Sequence, residues 1–219
     1  MDFWRNCKTD LAPYEILNLG MGGSWVRHIS GKNDSMLIPY NPKAVIISSG
    51  GNDASGGASS AQIISELKDY IDSLTEALPG VPIIYVSNWF SPSVESNVNN
   101  KNTRLRINEE MIAYCEVKEN VWYLDCSSIV KASDSEIWLS DRMHMNATGY
   151  EKVTPLFMDL LDEIFGEEIP EQTDPSEPSE PQTPTPTPTK PNLIPWICGG
   201  IIAAAAVALV IALIPKKNK

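Results

Sequence analysis

The stretch Ala44-Val45-Ile46-Ile47-Ser48-Ser49-Gly50-Gly51-Asn52-Asp53 decides how this chain is read. Its apolar, largely β-branched residues run without a polar break, the pattern of a strand buried on both faces rather than of one that alternates. Two glycines and an Asn-Asp pair then turn the chain at the strand's carboxyl end. Ser59–Leu78 follows, with Ile63, Ile64, Leu67, Tyr70, Ile71, Leu74, Ala77 and Leu78 at helical spacing and Pro79-Gly80 as the stop. Upstream, Glu15–Leu19 predicts a short strand ending in Gly20-Met21-Gly22-Gly23, and Ser24–Ile29 can open a helix. Downstream, the pattern predicts a strand over Val81–Ser87 and a helix over Asn102–Glu119, with Leu105, Ile107, Met111, Ile112 and Cys115 among its apolar positions. A strand over Val121–Asp125 and an amphipathic helix over Ala147–Phe165 complete the series. Strands alternating with helices imply an α/β fold: a mostly parallel sheet with helices on both faces and a ligand site beyond the strands' carboxyl ends.

Composition divides the 219 residues into a globular domain, 1–166, and a C-terminal appendage. Residues 167–192 are almost all Pro, Glu, Thr, Ser, Gln or Asp, which cannot bury enough apolar surface to offset ordering and so predict a disordered stalk. Residues 193–214 are apolar or small and uncharged, long enough to cross a bilayer as a transmembrane helix. Trp196 sits at the stalk end and Lys216, Lys217 and Lys219 at the other, so residues 215–219 read as a cytoplasmic tail and the domain as extracellular. The segment before the span, KPNLIPW, is not a sortase signal, and the basic end argues against a GPI signal. Met1–Asp10 has no signal-peptide character, although an outward-facing domain needs export. A net charge of −11 speaks against nucleic acid as a partner. The four cysteines, Cys7, Cys115, Cys126 and Cys198, form no metal-ligand spacing, although a disulfide among the three outside the span stays open.

Three polar segments lie where a site of this fold class belongs. Asn18-Leu19-Gly20-Met21-Gly22-Gly23-Ser24 is no dinucleotide fingerprint, but Gly23 can present a backbone N–H unobstructed, as an oxyanion hole requires. In Gly50-Gly51-Asn52-Asp53 the Asn52 amide is a neutral donor suited to the same task. In Asp141-Arg142-Met143-His144-Met145-Asn146 an aspartate precedes by three residues one of only two histidines, the pairing a serine hydrolase needs for a general base and its orienter. His28, the other histidine, reads as a surface or structural residue. Taken singly, each segment is more often an ordinary turn or solvated loop.

In order and spacing, however, the three segments resemble the SGNH/GDSL serine hydrolases over residues 1 to about 166. Asn18–Gly23 is similar to that family's NxGxGG block, Gly50–Asp53 to its GxND block and Asp141–Asn146 to its DxxHxN block; Phe3-Trp4 through Asp10-Leu11-Ala12-Pro13 resembles the stretch that follows its nucleophile turn. The resemblance implies a three-layer α/β/α (flavodoxin-like) domain, with Gly23 and Asn52 as the oxyanion hole and His144 and Asp141 as the base pair. Arg142 departs from the glycine common at its position. The resemblance also implies that the first strand and its GDS-like serine turn are missing, with the nucleophile expected just upstream of Met1, so that the chain as given is an inactive truncated form. No cofactor or metal is called for. The expected function is hydrolysis of acyl esters of carbohydrate or lipid at the cell surface, with Trp89 and Phe90 as candidate site walls. The alternatives are a non-catalytic surface binding protein on the same scaffold and a tail-anchored protein facing the cytoplasm.

Overall fold

The structure, a computed structural model, describes residues 14–166 and 207–215. The stalk, residues 193–206 of the expected span, the lysine tail, Cys7, Cys198 and the Phe3–Pro13 stretch lie outside the described residues. In chain order the elements are β1 (Tyr14–Asn18), β2 (Met21–Gly22), α1 (Val26–Ser30), α2 (Asn33–Met36), β3 (Ala44–Ser48), α3 (Gly51–Ser55) and α4 (Ser60–Ala77). There follow β4 (Ile83–Val86), α5 (Pro92–Glu95), α6 (Val98–Glu116), β5 (Val121–Leu124), α7 (Ala147–Phe165) and β6 (Val207–Pro215).

The main sheet has the order β1-β6-β3-β4-β5. Strand β3 pairs parallel with β4 (Ile46 opposite Ile84), and β4 parallel with β5 (Ile84 opposite Trp122). The pleat sorts β3 between two cores, as a doubly covered strand requires. Val45 and Ile47 face Ile63, Leu67, Ile71 and Leu74 of α4 and Ile107 and Met111 of α6. Ala44 and Ile46 face Val153, Phe157 and Leu161 of α7. The expected three layers are therefore present. Helix α4 starts at Ser59, whose hydroxyl accepts the Gln62 N–H at 3.2 Å.

One expectation is corrected. Helix α6 begins at Val98, capped by Asn97, and Leu105 and Ile112 are 39% and 38% exposed. Its buried face instead carries Asn100, Arg104, Ile107, Asn108, Met111, Tyr114 and Cys115. Part of the segment expected to cross the membrane is also described. Val207–Pro215, most of its second half, is a strand set between β1 and β3, antiparallel to both: Ile211 lies opposite Asn18 on one side and Ile46 on the other. Its first residues also pair with β2, Val207 opposite Gly22. Strand β6 therefore takes an inner position of the sheet, between β1 and β3. The cause is competition for backbone partners. Strands β1 and β3 each present a row of N–H and C=O groups that must be satisfied, and a run containing Val207, Val210, Ile211 and Ile214 is as good a strand former as a membrane helix former. Among the described residues no helix is long and apolar enough to cross a membrane.

Because β6 is paired on both sides, Ile211→Pro is expected to lower the unfolding free energy in lipid-free buffer by about 3 kcal/mol. Urea unfolding checks this; an unchanged midpoint would mean that the sheet does not depend on this segment.

Candidate active site

Strands β3 and β4 pair in parallel, and β1, antiparallel to β6 as β3 is, runs in the same sense, so the turns after all three reach one edge of the sheet. After β3 the chain reverses at Gly50, whose φ of 94° is open to glycine and strained for other residues, and it enters α3 with Asn52 on its first turn. The Asn52 side-chain amide donates to the Ser24 carbonyl at 2.8 Å, which fixes the amide beside Gly23 and leaves its second N–H available to a ligand. Gly23 has φ 73°. Asp53, buried to 1% exposure, accepts the Val26 N–H at 3.1 Å and so ties the start of α1 to α3. Its second oxygen has no partner among the described residues, and burial pushes its carboxyl up from the usual range against the pull of the Val26 N–H. The two residues assigned to the oxyanion hole are therefore neighbours in space.

The base pair forms in the loop before α7. Nδ1 of His144 lies 2.7 Å from Oδ2 of Asp141, with the side chains 20% and 28% exposed. Oδ1 of Asp141 accepts the N–H groups of Met143 at 2.8 Å and His144 at 3.0 Å. Partial burial raises the Asp141 carboxyl, but the His144 N–H, the imidazole and the Met143 N–H outweigh it and draw it down to about 2. A carboxylate only accepts, so it selects the tautomer protonated at Nδ1 and leaves the Nε2 lone pair for a base's work. Among the described residues no hydroxyl is hydrogen-bonded to Nε2. Arg142, where the family commonly has glycine, adopts φ 58°, a left-handed turn that arginine occupies at some cost. Asn146 accepts the Gly149 N–H at 3.1 Å and donates to the Glu136 carbonyl at 2.7 Å, so it caps α7 and closes the loop.

The segment after β4 joins the two halves. Ser93 donates through its backbone N–H to the Arg142 carbonyl at 3.0 Å and through its hydroxyl to the Asp141 carbonyl at 3.2 Å. Trp89 packs against the α7-side core, and its carbonyl accepts from Arg104, which also donates to Gly51. The sequence reading missed Arg104, Asn88 and Asn108. Their signal was present as a stripe of polar residues four apart, Asn100, Arg104 and Asn108, on one face of α6. His28 is exposed, and its Nδ1 accepts the Trp25 N–H at 3.2 Å. Cys115 and Cys126 are free and buried, and burial pushes both thiols up to about 12. No cluster among the described residues could hold a metal ion. A groove bordered by Pro42, Pro82, Trp122 and Phe165 lies at the opposite edge of the sheet and takes no part in this site.

The profile of the GDSL-like lipase/acylhydrolase family matches residues 3–152, which contain all four assigned residues. This chain belongs to the GDSL-like lipase/acylhydrolase family. Solved structures share its fold. A family 3 carbohydrate esterase of Clostridium thermocellum has 19% identity and a TM-score of 0.54, covering 65% of this chain and 67% of its own. An acetyl-xylooligosaccharide esterase of Geobacillus Stearmophilus gives 16%, 0.53, 68% and 72%. A GDSL-like lipase of Bacteroides thetaiotaomicron gives 13%, 0.54, 64% and 72%. At these identities the likeness speaks to the fold alone. No curated protein matches the chain.

The Asp141 carboxyl of this GDSL domain is expected to titrate near pH 2 rather than near the ordinary value of about 4. Since the folded value is the lower one, the pairing stabilises the fold above about pH 4, and that contribution is lost as pH falls towards 2. Carbon-detected NMR titration measures it; a midpoint near 4 would contradict the described loop.

Proposed function

We propose that the protein is an ester hydrolase acting on acyl esters of carbohydrate or lipid by acyl transfer to a serine. Family membership and the Asp141–His144 hydrogen bond carry this reading, with Gly23 and Asn52 gathered at the same sheet edge in support. In the proposed reaction Nε2 of His144 takes the serine proton as Oγ attacks the ester carbonyl. The oxyanion accepts hydrogen bonds from the Gly23 N–H and the Asn52 amide. The tetrahedral intermediate collapses to an acyl-serine as His144 returns the proton to the leaving alcohol, and water activated by the same imidazole releases the acid. Two of the neighbours are described as esterases of carbohydrate, one of them acting on an acetylated oligosaccharide, which favours acetylated sugar as the first class to assay.

The serine is proposed to lie upstream of Met1. Strand β6 runs antiparallel to β3, so its first residue, Val207, reaches the site edge and Pro215 the opposite one. A strand parallel to β3 in the same slot would end between Gly20–Gly23 and Gly50–Asp53. The catalytic form is accordingly proposed to hold a serine-bearing strand there, with 193–214 in the membrane, the domain outside the cell and the basic tail in the cytoplasm. Residues 1–219 alone are proposed to be inactive. A second reading, a non-catalytic binding scaffold, is favoured by β6 filling the slot.

The test is hydrolysis of acetylated xylooligosaccharides and short-chain acetyl esters by the chain carrying its upstream residues. His144→Ala is expected to reduce kcat about 10³–10⁴-fold. Equal turnover by the variant and its parent would overturn the mechanism, and activity of residues 1–219 alone would overturn the placement of the serine.

A further inference from the structure

Arg104 is 4% exposed, and among the described residues no carboxylate lies within ion-pair distance of it. A buried cation is normally paired with an acid. Here neutral oxygens replace the acid: Nε donates to Oδ1 of Asn100 at 2.9 Å, Nη2 to the Gly51 carbonyl at 3.0 Å and to the Ser55 hydroxyl at 3.3 Å, and Nη1 to the Trp89 carbonyl at 3.3 Å. Burial lowers its pKa to about 10, which still leaves the guanidinium charged at neutral pH. The guanidinium packs close beneath the turn: a side chain at Gly51 would place its Cβ 3.1 Å from Nη1 of Arg104 and 3.0 Å from Oδ1 of Asn88. Asn108 completes the floor by pairing with the Asn88 backbone, accepting its N–H at 2.9 Å and donating to its carbonyl at 2.8 Å.

We infer that Arg104 is a positioning residue for the oxyanion side of the site: it clamps the Gly51–Asn52 turn to the Trp89 segment and lends the Asn52 amide an uncompensated positive charge. This rests on the ester-hydrolase reading and adds to it. The clamp joins the two turns that flank the reacting centre, and a fixed cation behind a donor strengthens it where negative charge develops only in the transition state. The charge therefore acts on kcat more than on KM.

Two arms test it. In residues 1–219, Arg104→Met and Arg104→Lys are followed by side-chain amide NMR of Asn52 and by thermal unfolding. Arg104→Met is expected to shift the Asn52 amide towards its free-chain position in a protein that still folds, and Arg104→Lys to do so less. An unmoved Asn52 amide in folded Arg104→Met overturns the clamp whatever the activity. In the chain with its upstream residues, Arg104→Met is expected to lower kcat about tenfold to a hundredfold with KM within about threefold. Asn100→Asp keeps the acceptor for Nε but brings a negative charge beside the guanidinium. It is expected to lower kcat about tenfold at an unchanged or higher melting temperature, whereas an unchanged kcat would mean that Arg104 only holds structure. Should Arg104→Met not fold, Arg104→Lys and Asn100→Asp decide both points. Absence of hydrolysis by the parent would overturn the ester-hydrolase reading, while the clamp would still be judged by the first arm.

Discussion

Parallel pairing of β3 with β4 and of β4 with β5 obliges every connection between them to leave from one edge and return at the other. The turns after β3 and β4 therefore meet at the carboxyl edge, and β1, running in the same sense, adds its glycine turn. Nothing in Gly23, Asn52 or His144 is unusual as an isolated side chain. Their chemistry comes from being held at one edge by strands whose interior positions, Val45, Ile46, Ile47, Ile83 and Ile84, are buried on both faces and cannot slip register without exposing apolar surface.

Polar groups stitch that edge together. Asn52 to Ser24, Asp53 to Val26, Arg104 to Gly51 and Trp89, and Ser93 to the Asp141 loop form a path from the oxyanion donors to the base. Carbonyls drawn out of water at the ends of strands need donors from the protein. Helix α6 supplies these donors from its inward face, so the face that would otherwise complete an apolar stripe is partly polar. The result is a site whose geometry is set by satisfied hydrogen bonds in a low-dielectric floor, which are stiffer than loop packing alone.

The sequence was most legible where period and burial agree. Val45–Ile47 with its glycine turn, the Ile63–Leu74 face of α4 and the bounds of α7 were all readable, because one face of each is apolar and caps or breakers mark the ends. The candidate site residues were legible through motif order. Helix α6 was readable as a helix but not in its orientation: Leu105 and Ile112 look like core and are exposed, because the polar Asn100–Arg104–Asn108 stripe answers a demand made by turns far away in the sequence. The segment Val207–Pro215 was ambiguous in the sequence for a related reason. Its composition fits both a bilayer and a buried strand, and the choice is made by whether β1 and β3 are left without a partner.

That choice bears on function, because the slot between β1 and β3 opens directly onto the site. An antiparallel apolar strand there completes the sheet and brings no nucleophile; a parallel strand ending in serine would complete sheet and site together. The direct measurement is covalent labelling of the chain carrying its upstream residues with a fluorophosphonate, which reacts with activated serines, followed by mass mapping of the modified peptide. A single adduct on a serine preceding Met1, abolished by His144→Ala, is the predicted result. An adduct on any serine between Ser24 and Ser140, or labelling indifferent to His144, would contradict it.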